Sequence, residues 1–528
     1  MTAGLPSGLR RTLHDVLGGD SVLEDEDDRR FFSHDIFEAG QTAAAVIRPV
    51  TVEQLAASVG AVASSGLAVV PRGGGISYTA GYLPTRSRSV VVDTRRLDRV
   101  IDVNTTDMYV TAETGCTWEQ LSQALAGTGT RTPFGGPFSG RYATVGGTLS
   151  QDAVLWGSAA HGGASESVLG LAVVLADGTV VRTGSAGTSA GSPFQRYFGP
   201  DLTGVFLGDS GALGIKAEAT LALMREPTEA RFASFSFRDR RRFVEAMGDV
   251  ARSGAASTCF GLDPLLQYQR VRKTRLREGA RKLKGVVRTA ETTVAGLRDA
   301  AAVALRGRRV ADVHGYAMHV IVEDRSPEAA DAAIAEITAI SRAGSRQLPD
   351  SVPRVMVGNP YVSLAATLGP EGERWVPTHG VLPLSAVNDA WNRLDKVFAE
   401  FAGPIERFGI VTGLLTALVG NRGCILEVVL YWPGPRNLWH ERMLEPSKLA
   451  RYRDFDDNPE LDSVVVELRS RIIESLHRSG AAHMQIGKRY PYLDGLEPGA
   501  RDLLEAIKNH VDPDRLTNPG SLGLLGGC

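Results

Sequence analysis

Three consecutive glycines, Gly73, Gly74 and Gly75, stand between Pro71-Arg72 and Ile76-Ser77-Tyr78-Thr79-Ala80-Gly81, directly after the apolar run Leu67–Val70. Consecutive glycines let a backbone approach a ligand closely and aim successive N–H groups into one anion-binding nest, the chemistry a pyrophosphate needs. A structural turn is the plain alternative. A Rossmann G-x-G-x-x-G would need its third glycine at position 78, where Tyr78 stands. It would also need a helix start that Ile-Ser-Tyr-Thr-Ala-Gly-Tyr-Leu-Pro does not supply, although Asp93 lies where a ribose-binding acid would sit. The sequence G-x-x-x-x-G-K-[ST] is absent, so a P-loop is not supported.

The flanks alternate α and β. Thr51 with Gln54 predicts a capped helix that Gly66 would close, followed by strands at Leu67–Val70, Val90–Asp93 and Met108–Glu113. Thr117 with Gln120 opens a second capped helix, and Asp177-Gly178 between Leu171–Ala176 and Thr179–Thr183 predicts a hairpin with a type I′ turn. Two more glycine clusters follow the first. They are Gly135-Gly136 with Thr144-Val145-Gly146-Gly147-Thr148-Leu149-Ser150, and Gly157-Ser158-Ala159-Ala160-His161-Gly162-Gly163. Three such loops in one α/β unit suit a long ligand held by backbone along its length. After about Pro227 the pattern becomes α+β. Strands are expected at Val310–Val322 and Gly423–Trp432, and amphipathic helices at Pro327–Ser341 and Pro459–Ser479, the latter with Asn458 as N-cap.

At 528 residues the chain exceeds the roughly 250 to 300 residues that one core supports, so more than one domain is expected. Its 58 basic and 60 acidic side chains give a net charge of −2, without the basic excess of a nucleic-acid reader. Cys116, Cys259, Cys424 and Cys528 form no C-x-x-C pair, which speaks against a disulfide framework or a thiolate metal site and fits a reducing cytoplasm. The N-terminus lacks the apolar core of a secretory signal, and the uncharged stretch Gln54–Pro71 carries too many Ser and Gly for a membrane span. One region is asymmetric: between 270 and 309 stand thirteen Lys or Arg against three acids. It reads as a solvated helical excursion, or as a patch that meets an anionic surface.

In register, the strings Val-Val-Pro-Arg-Gly-Gly-Gly-Ile-Ser-Tyr (69–78), Thr-Val-Gly-Gly-Thr (144–148), Val-Val-Leu-Ala-Asp-Gly-Thr-Val-Val-Arg-Thr-Gly (173–184) and Tyr197–Phe206 through Gly214-Ile215 resemble one known family. It is the FAD-binding domain of the vanillyl-alcohol oxidase and p-cresol methylhydroxylase flavoproteins, matched from about Val46 to Pro227 and again at Leu516–Gly520. The resemblance implies an α+β fold: a two-subdomain FAD-binding domain at 1–227, a cap with a large antiparallel sheet at 228–480, and a returning segment at 481–528. It places Arg72, Gly73, Gly74, Gly75, Ile76 and Ser77 on the FAD pyrophosphate and Gly146, Gly147 and Ser150 near the isoalloxazine. Gly157, His161 and Gly162 would continue the FAD wall, and Ile215 would meet the ribose or adenine. Ile76 occupies the place of the flavin-linking histidine of bicovalent relatives, so no linkage forms there. Gly163 stands where phenol oxidases carry an acid.

The resemblance further implies an FAD-dependent oxidase or dehydrogenase that oxidises a small organic substrate, phenolic or alcohol, next to flavin N5. Gly487-Lys488-Arg489-Tyr490-Pro491 resembles the phenolate-binding segment with Arg and Tyr exchanged, which makes Arg489 and Tyr490 candidates for an oxyanion; a solvated basic turn is the alternative. Glu427 shares a strand face with apolar neighbours and could act as a base or sit in an ordinary ion pair. His379 could exchange a proton or be satisfied by backbone. A 2-hydroxy-acid dehydrogenase is the substrate rival, and a non-catalytic flavin-binding partner the rival of another class. His314 and His319, five apart on an expected strand, would face opposite ways, so no metal is expected. Expected partners are a small-molecule substrate and identical subunits of a homo-oligomer.

Overall fold

A computed structural model describes residues 4–273 and 315–524. The basic segment lies outside the described residues apart from 270–273, and His314 and Cys528 lie outside as well.

Local signals set the element ends. Thr117 and Gln120 form a reciprocal capping box on the helix Trp118–Leu125. Thr51 caps Val52–Ser64 through the Gln54 N–H, while the Gln54 side chain accepts from Val50 N–H at 3.0 Å, one residue earlier than a reciprocal box. Asn458 accepts the Leu461 N–H ahead of Pro459–Arg478, with proline in the first turn, where its missing N–H costs nothing. The expected helix Pro327–Ser341 and strand Gly423–Trp432 form with those bounds.

The Asp177-Gly178 hairpin is not type I′. Gly178 alone takes positive φ (87°), its N–H donates to Leu175 O at 3.0 Å, and Leu175 N–H donates to Thr179 O at 2.9 Å. The loop therefore has three residues, a type I turn closed by a left-handed glycine. Asp177 keeps ordinary φ because its carboxylate accepts the Thr179 N–H at 2.8 Å, an Asx-turn bond that competes with the primed geometry.

Three main sheets result. A four-stranded sheet orders Val22–Leu23, Ala45–Ile47, Ser89–Asp93 and Ala68–Arg72, the last three parallel. A five-stranded antiparallel sheet orders Val100–Asn104, Tyr109–Glu113, Ile215–Ala222, Val168–Val174 and Val180–Arg182. The largest is a seven-stranded antiparallel sheet in the order Ser345–Leu348, Glu229–Phe237, Tyr316–Asp324, Thr258–Leu262, Val411–Val419, Gly423–Trp432 and Arg374–Pro383. Because side chains alternate across a strand, each strand of the large sheet feeds two cores. Phe235, Val320 and Leu426 pack with Phe243, Ile337, Leu394 and Leu468 of the covering helices. Their neighbours on the other face, Phe232 and Ile321, meet Leu155 and Trp156 from the first half of the chain.

The end of the chain returns to the first sheet. Val69 N–H donates to Leu516 O and Asn518 N–H to Val69 O, both at 2.8 Å, so the returning segment lies along the strand that feeds the triple glycine. No helix among the described residues is long and apolar enough to cross a membrane.

Candidate active site

After Ala68–Arg72 the chain passes from 73 to 88 without a helix, which removes the Rossmann alternative geometrically. The three glycines are needed for contact as well as for conformation. A Cβ on Gly73 would lie 2.3 Å from Thr144 Oγ1, and one on Gly74 would lie 1.9 Å from Tyr142 O. Gly75 has φ 66°. The loop thus abuts the residues that start the short helix Val145–Gln151, capped by Thr144 on Gly147 N–H. Beside it Arg72 is 1% exposed, and its Nε, Nη1 and Nη2 have no hydrogen-bond partner. The guanidinium is held by the rings of Phe31, Phe32 and Tyr82 at 4.9, 4.6 and 5.3 Å. A buried cation without an acceptor, next to a glycine backbone, fits the pyrophosphate of a dinucleotide.

Gly146 N–H donates to Thr114 O at 2.8 Å, and Ser150 O accepts from Ser210 N–H at 2.8 Å. Gly157 and Gly162, with φ of 83° and 77°, bracket the short helix Ser158–His161. This helix sits on the large sheet: Gly157 N–H donates to Thr258 Oγ1 at 2.9 Å and Gly420 N–H to Ser158 O at 2.8 Å. His161 is half-buried, and burial lowers its pKa. Ile215 turns its side chain into the core with Val59 and Val174 and pairs with Val174 in the five-stranded sheet. A Cβ on Gly163 would meet Asp152 Oδ1 at 2.8 Å, so an acid already stands beside the position where the expected acid is missing.

Across from the glycine loop, the strand Arg374–Pro383 places His379 opposite Glu427. His379 is fully buried; its Nε2 lies 3.4 Å from the Tyr78 hydroxyl, its Nδ1 has no partner, and its backbone N–H donates to the Tyr490 hydroxyl at 2.9 Å. The Tyr490 ring stacks against His379 (5.5 Å) and against His483 (4.6 Å). Burial pushes His379 down to about 3 and His483 down to about 4, and pushes Tyr490 up to about 12 against the pull of Arg469. At neutral pH the cluster is therefore neutral imidazoles and protonated phenols.

The segment Gly487-Lys488-Arg489-Tyr490 is a turn, with Arg489 and Tyr490 N–H both reaching Ile486 O at 3.3 Å. It therefore points its side chains three ways. Tyr490 enters the cluster; Arg489, about one-third exposed, pairs with Glu38 through Nε at 2.8 Å and through Nη2. Lys488 is half-buried, donating to Asn518 Oδ1 at 2.7 Å and to Ala80 O and Gly81 O at 3.3 Å, and burial lowers its pKa to about 7. Of the four residues expected to act on substrate, the fold thus gathers His379, Glu427 and Tyr490, with Arg489 held aside on Glu38.

Sequence reasoning passed over Tyr78, His483, Arg469 and Asp35. Asp35 accepts from Phe37, Glu38 and Ala80 N–H at 2.7, 2.7 and 2.9 Å, and burial raises it to about 6. It thereby fixes Ala80, which has φ 58°, at the end of the glycine loop. A cavity of about 320 Å³ adjoins the cluster, lined among others by Gln151, Asp152, Asp209, His483, Gln485 and Tyr492. Among the described residues no three His, Cys, Asp or Glu are grouped to hold a metal, and His319 is engaged by Ser234 Oγ at 2.9 Å.

Held neutral by burial, His379 makes folding pH-dependent. Its pKa is about 3 folded against an ordinary 6.5, so the unfolded chain binds more protons between those values. Stability is then full above pH 6.5 and falls as pH drops toward 3. In His379→Gln the slope of unfolding free energy against pH, from urea titrations between pH 6.5 and 4, should be smaller by about one proton, or roughly 1.4 kcal/mol per pH unit. An unchanged slope would contradict the burial of a neutral imidazole.

Comparison with known proteins gives this geometry its setting. A family described as an FAD binding domain matches residues 43–184. The chain carries an FAD-binding domain. Its fold is similar to that of substrate-bound p-cresol methylhydroxylase, with TM-score 0.73, 17% identity, and 99% of this chain and 98% of that chain covered. The mitochondrial D-lactate dehydrogenase [cytochrome] 1 of Saccharomyces cerevisiae is 27% identical over 40% of this chain and 34% of its own. The glycolate oxidase subunit GlcD of Bacillus subtilis is 26% identical over 42% of this chain and 45% of its own. The chain thus spans less than half the length of these two relatives. The α+β architecture expected from the resemblance, including the large antiparallel sheet, is the one observed.

Proposed function

We propose that the protein is an FAD-dependent oxidoreductase that oxidises a small phenolic or alcohol substrate held beside Tyr490, for which FAD, when bound, would supply the hydride acceptor. The observation that carries this is the convergence of Tyr78, His379 and Tyr490 between the glycine loop, the large sheet and the returning segment. Tyr490 and Tyr78 keep their protons, so each can donate a hydrogen bond to a substrate oxygen. His379 N–H fixes the Tyr490 hydroxyl, and the neutral imidazole offers a ring nitrogen to a substrate hydroxyl. The His379 and His483 rings stacked against Tyr490 restrict its rotation.

Arg72 and the backbone of Gly73, Gly74, Gly75, Ile76 and Ser77 would hold the pyrophosphate, Gly146, Gly147 and Ser150 would line the approach to the ring system, and Gly157, His161 and Gly162 would back it. The Ile215 backbone would meet the nucleoside end. The division into a FAD-binding part at 1–227, a cap at 228–480 and a returning segment at 481–528 belongs to the same reading. It is supported by the seven-stranded sheet, whose described strands all fall between Glu229 and Trp432.

A 2-hydroxy acid is the second substrate reading, favoured by the D-lactate dehydrogenase and glycolate oxidase relatives. Anaerobic mixing of the flavin-loaded protein with a panel of phenols, alcohols and 2-hydroxy acids separates the readings by which class bleaches the flavin absorbance. A spectrum that no member of the panel bleaches would leave a flavin-binding protein without this chemistry.

A further inference from the structure

Arg469 projects from the helix Pro459–Arg478 and is 3% exposed. Its Nη2 donates to Tyr78 O at 2.7 Å, while Nε and Nη1 are buried without any hydrogen-bond partner. No carboxylate lies within ion-pair distance of it among the described residues. The acid in its field, Asp35, is already occupied by three backbone N–H groups. The Phe37 ring lies 4.5 Å from the guanidinium carbon and closes one side. A buried guanidinium ordinarily has its donors filled, because a charged donor without an acceptor is costly. Arg469 is therefore built to meet an acceptor that the chain itself does not supply.

Its surroundings say what that acceptor is. The guanidinium stands in the field of the Tyr78 and Tyr490 hydroxyls and of His379, the groups gathered around the proposed substrate position. Arg489 cannot fill this role without giving up Glu38. We propose that Arg469 is the specificity-determining cation of the site, so that the pocket prefers a substrate bearing an organic oxyanion, a carboxylate or a phenolate, over its uncharged analogue. This rests on the reading of the Tyr78, His379 and Tyr490 cluster as the substrate position. It leaves the redox chemistry open, since it concerns binding alone.

The test uses the flavin-loaded protein without turnover. Benzoate and benzamide, alike in shape and different in charge, are titrated against the flavin absorbance and by calorimetry in wild type, Arg469→Gln and Arg469→Lys. Wild type should prefer benzoate. Arg469→Gln should weaken benzoate by roughly ten- to a hundredfold and leave benzamide unchanged, and Arg469→Lys should recover part of the loss.

Equal loss of both probes in Arg469→Gln would make the residue structural and overturn the proposal. A shift in the flavin spectrum or reduction potential of Arg469→Gln, with the benzoate preference intact, would assign the missing acceptor to the flavin and overturn it too. Should the variants not fold, wild type alone decides, because no preference for benzoate over benzamide contradicts the inference. Flavin reduction by a neutral alcohol together with a benzoate preference would sustain the inference, and the same reduction without that preference would refute it while leaving the proposed oxidation standing.

Discussion

Gly74→Val should purify without FAD. The added Cβ would lie 1.9 Å from Tyr142 O, a backbone atom that cannot swing away, so the loop must leave the residues opening the Val145–Gln151 helix. The nest of N–H groups and Arg72 would then no longer face one anion together. Gly75→Val should behave alike for a different reason: its φ of 66° strains any β-branched residue, and its Cβ would fall 2.4 Å from Arg72 Nη2. Flavin content, read from the absorbance ratio after denaturation, should fall from near one per chain to near none. Variants that stay folded and fully loaded would exclude the loop as the pyrophosphate site.

Lys508→Met should remove about 3 to 5 kcal/mol of stability, the range for breaking one partner out of a buried ion pair. Lys508 is 1% exposed and donates to Asp512 Oδ2 at 2.5 Å, Ala212 O at 2.6 Å and Thr517 O at 3.0 Å. It ties the final helix both to the loop before Ile215 and to the segment that lies along Val69. Truncation leaves Asp512 buried with its cation gone, although Leu516 and Thr517 N–H still reach it at 2.9 and 2.8 Å. Because that segment supports the strand feeding the triple glycine, flavin affinity should fall with stability. An unfolding free energy from urea titration within about 1 kcal/mol of wild type would show that the clasp contributes little.

What the sequence made legible is what short-range chemistry decides. The Thr117–Gln120 box, Asn458 before Pro459 and the apolar alternation of Gly423–Trp432 each act within a few residues, and each element forms where they place it. The Asp177-Gly178 turn departs because a single Asp carboxylate has two local uses, and the bond to Thr179 N–H prevails over positive φ. The site itself was legible only in part, since its contacts join distant segments. Tyr78 meets His379 301 residues away, and Arg489 meets Glu38 across 451. No periodicity reports such a pairing. Arg469 did leave a trace: it adjoins the apolar series Leu461, Val465, Leu468, Ile472 and Leu476, a charge beside the buried stripe of its helix.

The central claim is that substrate lies against the buried Tyr490 and not against the neighbouring Arg489. The most direct measurement is the anaerobic rate of flavin reduction by whichever substrate bleaches wild type, compared in Tyr490→Phe and Arg489→Met at equal flavin content. Tyr490→Phe should be slower by roughly ten- to a hundredfold if the substrate oxygen gains charge at the transition state. Arg489→Met should change the rate by less than about fivefold, since a partly exposed ion pair is worth at most about 1 kcal/mol. The reverse order, with Arg489→Met slow and Tyr490→Phe near wild type, would place the substrate on the Glu38 side and contradict the account.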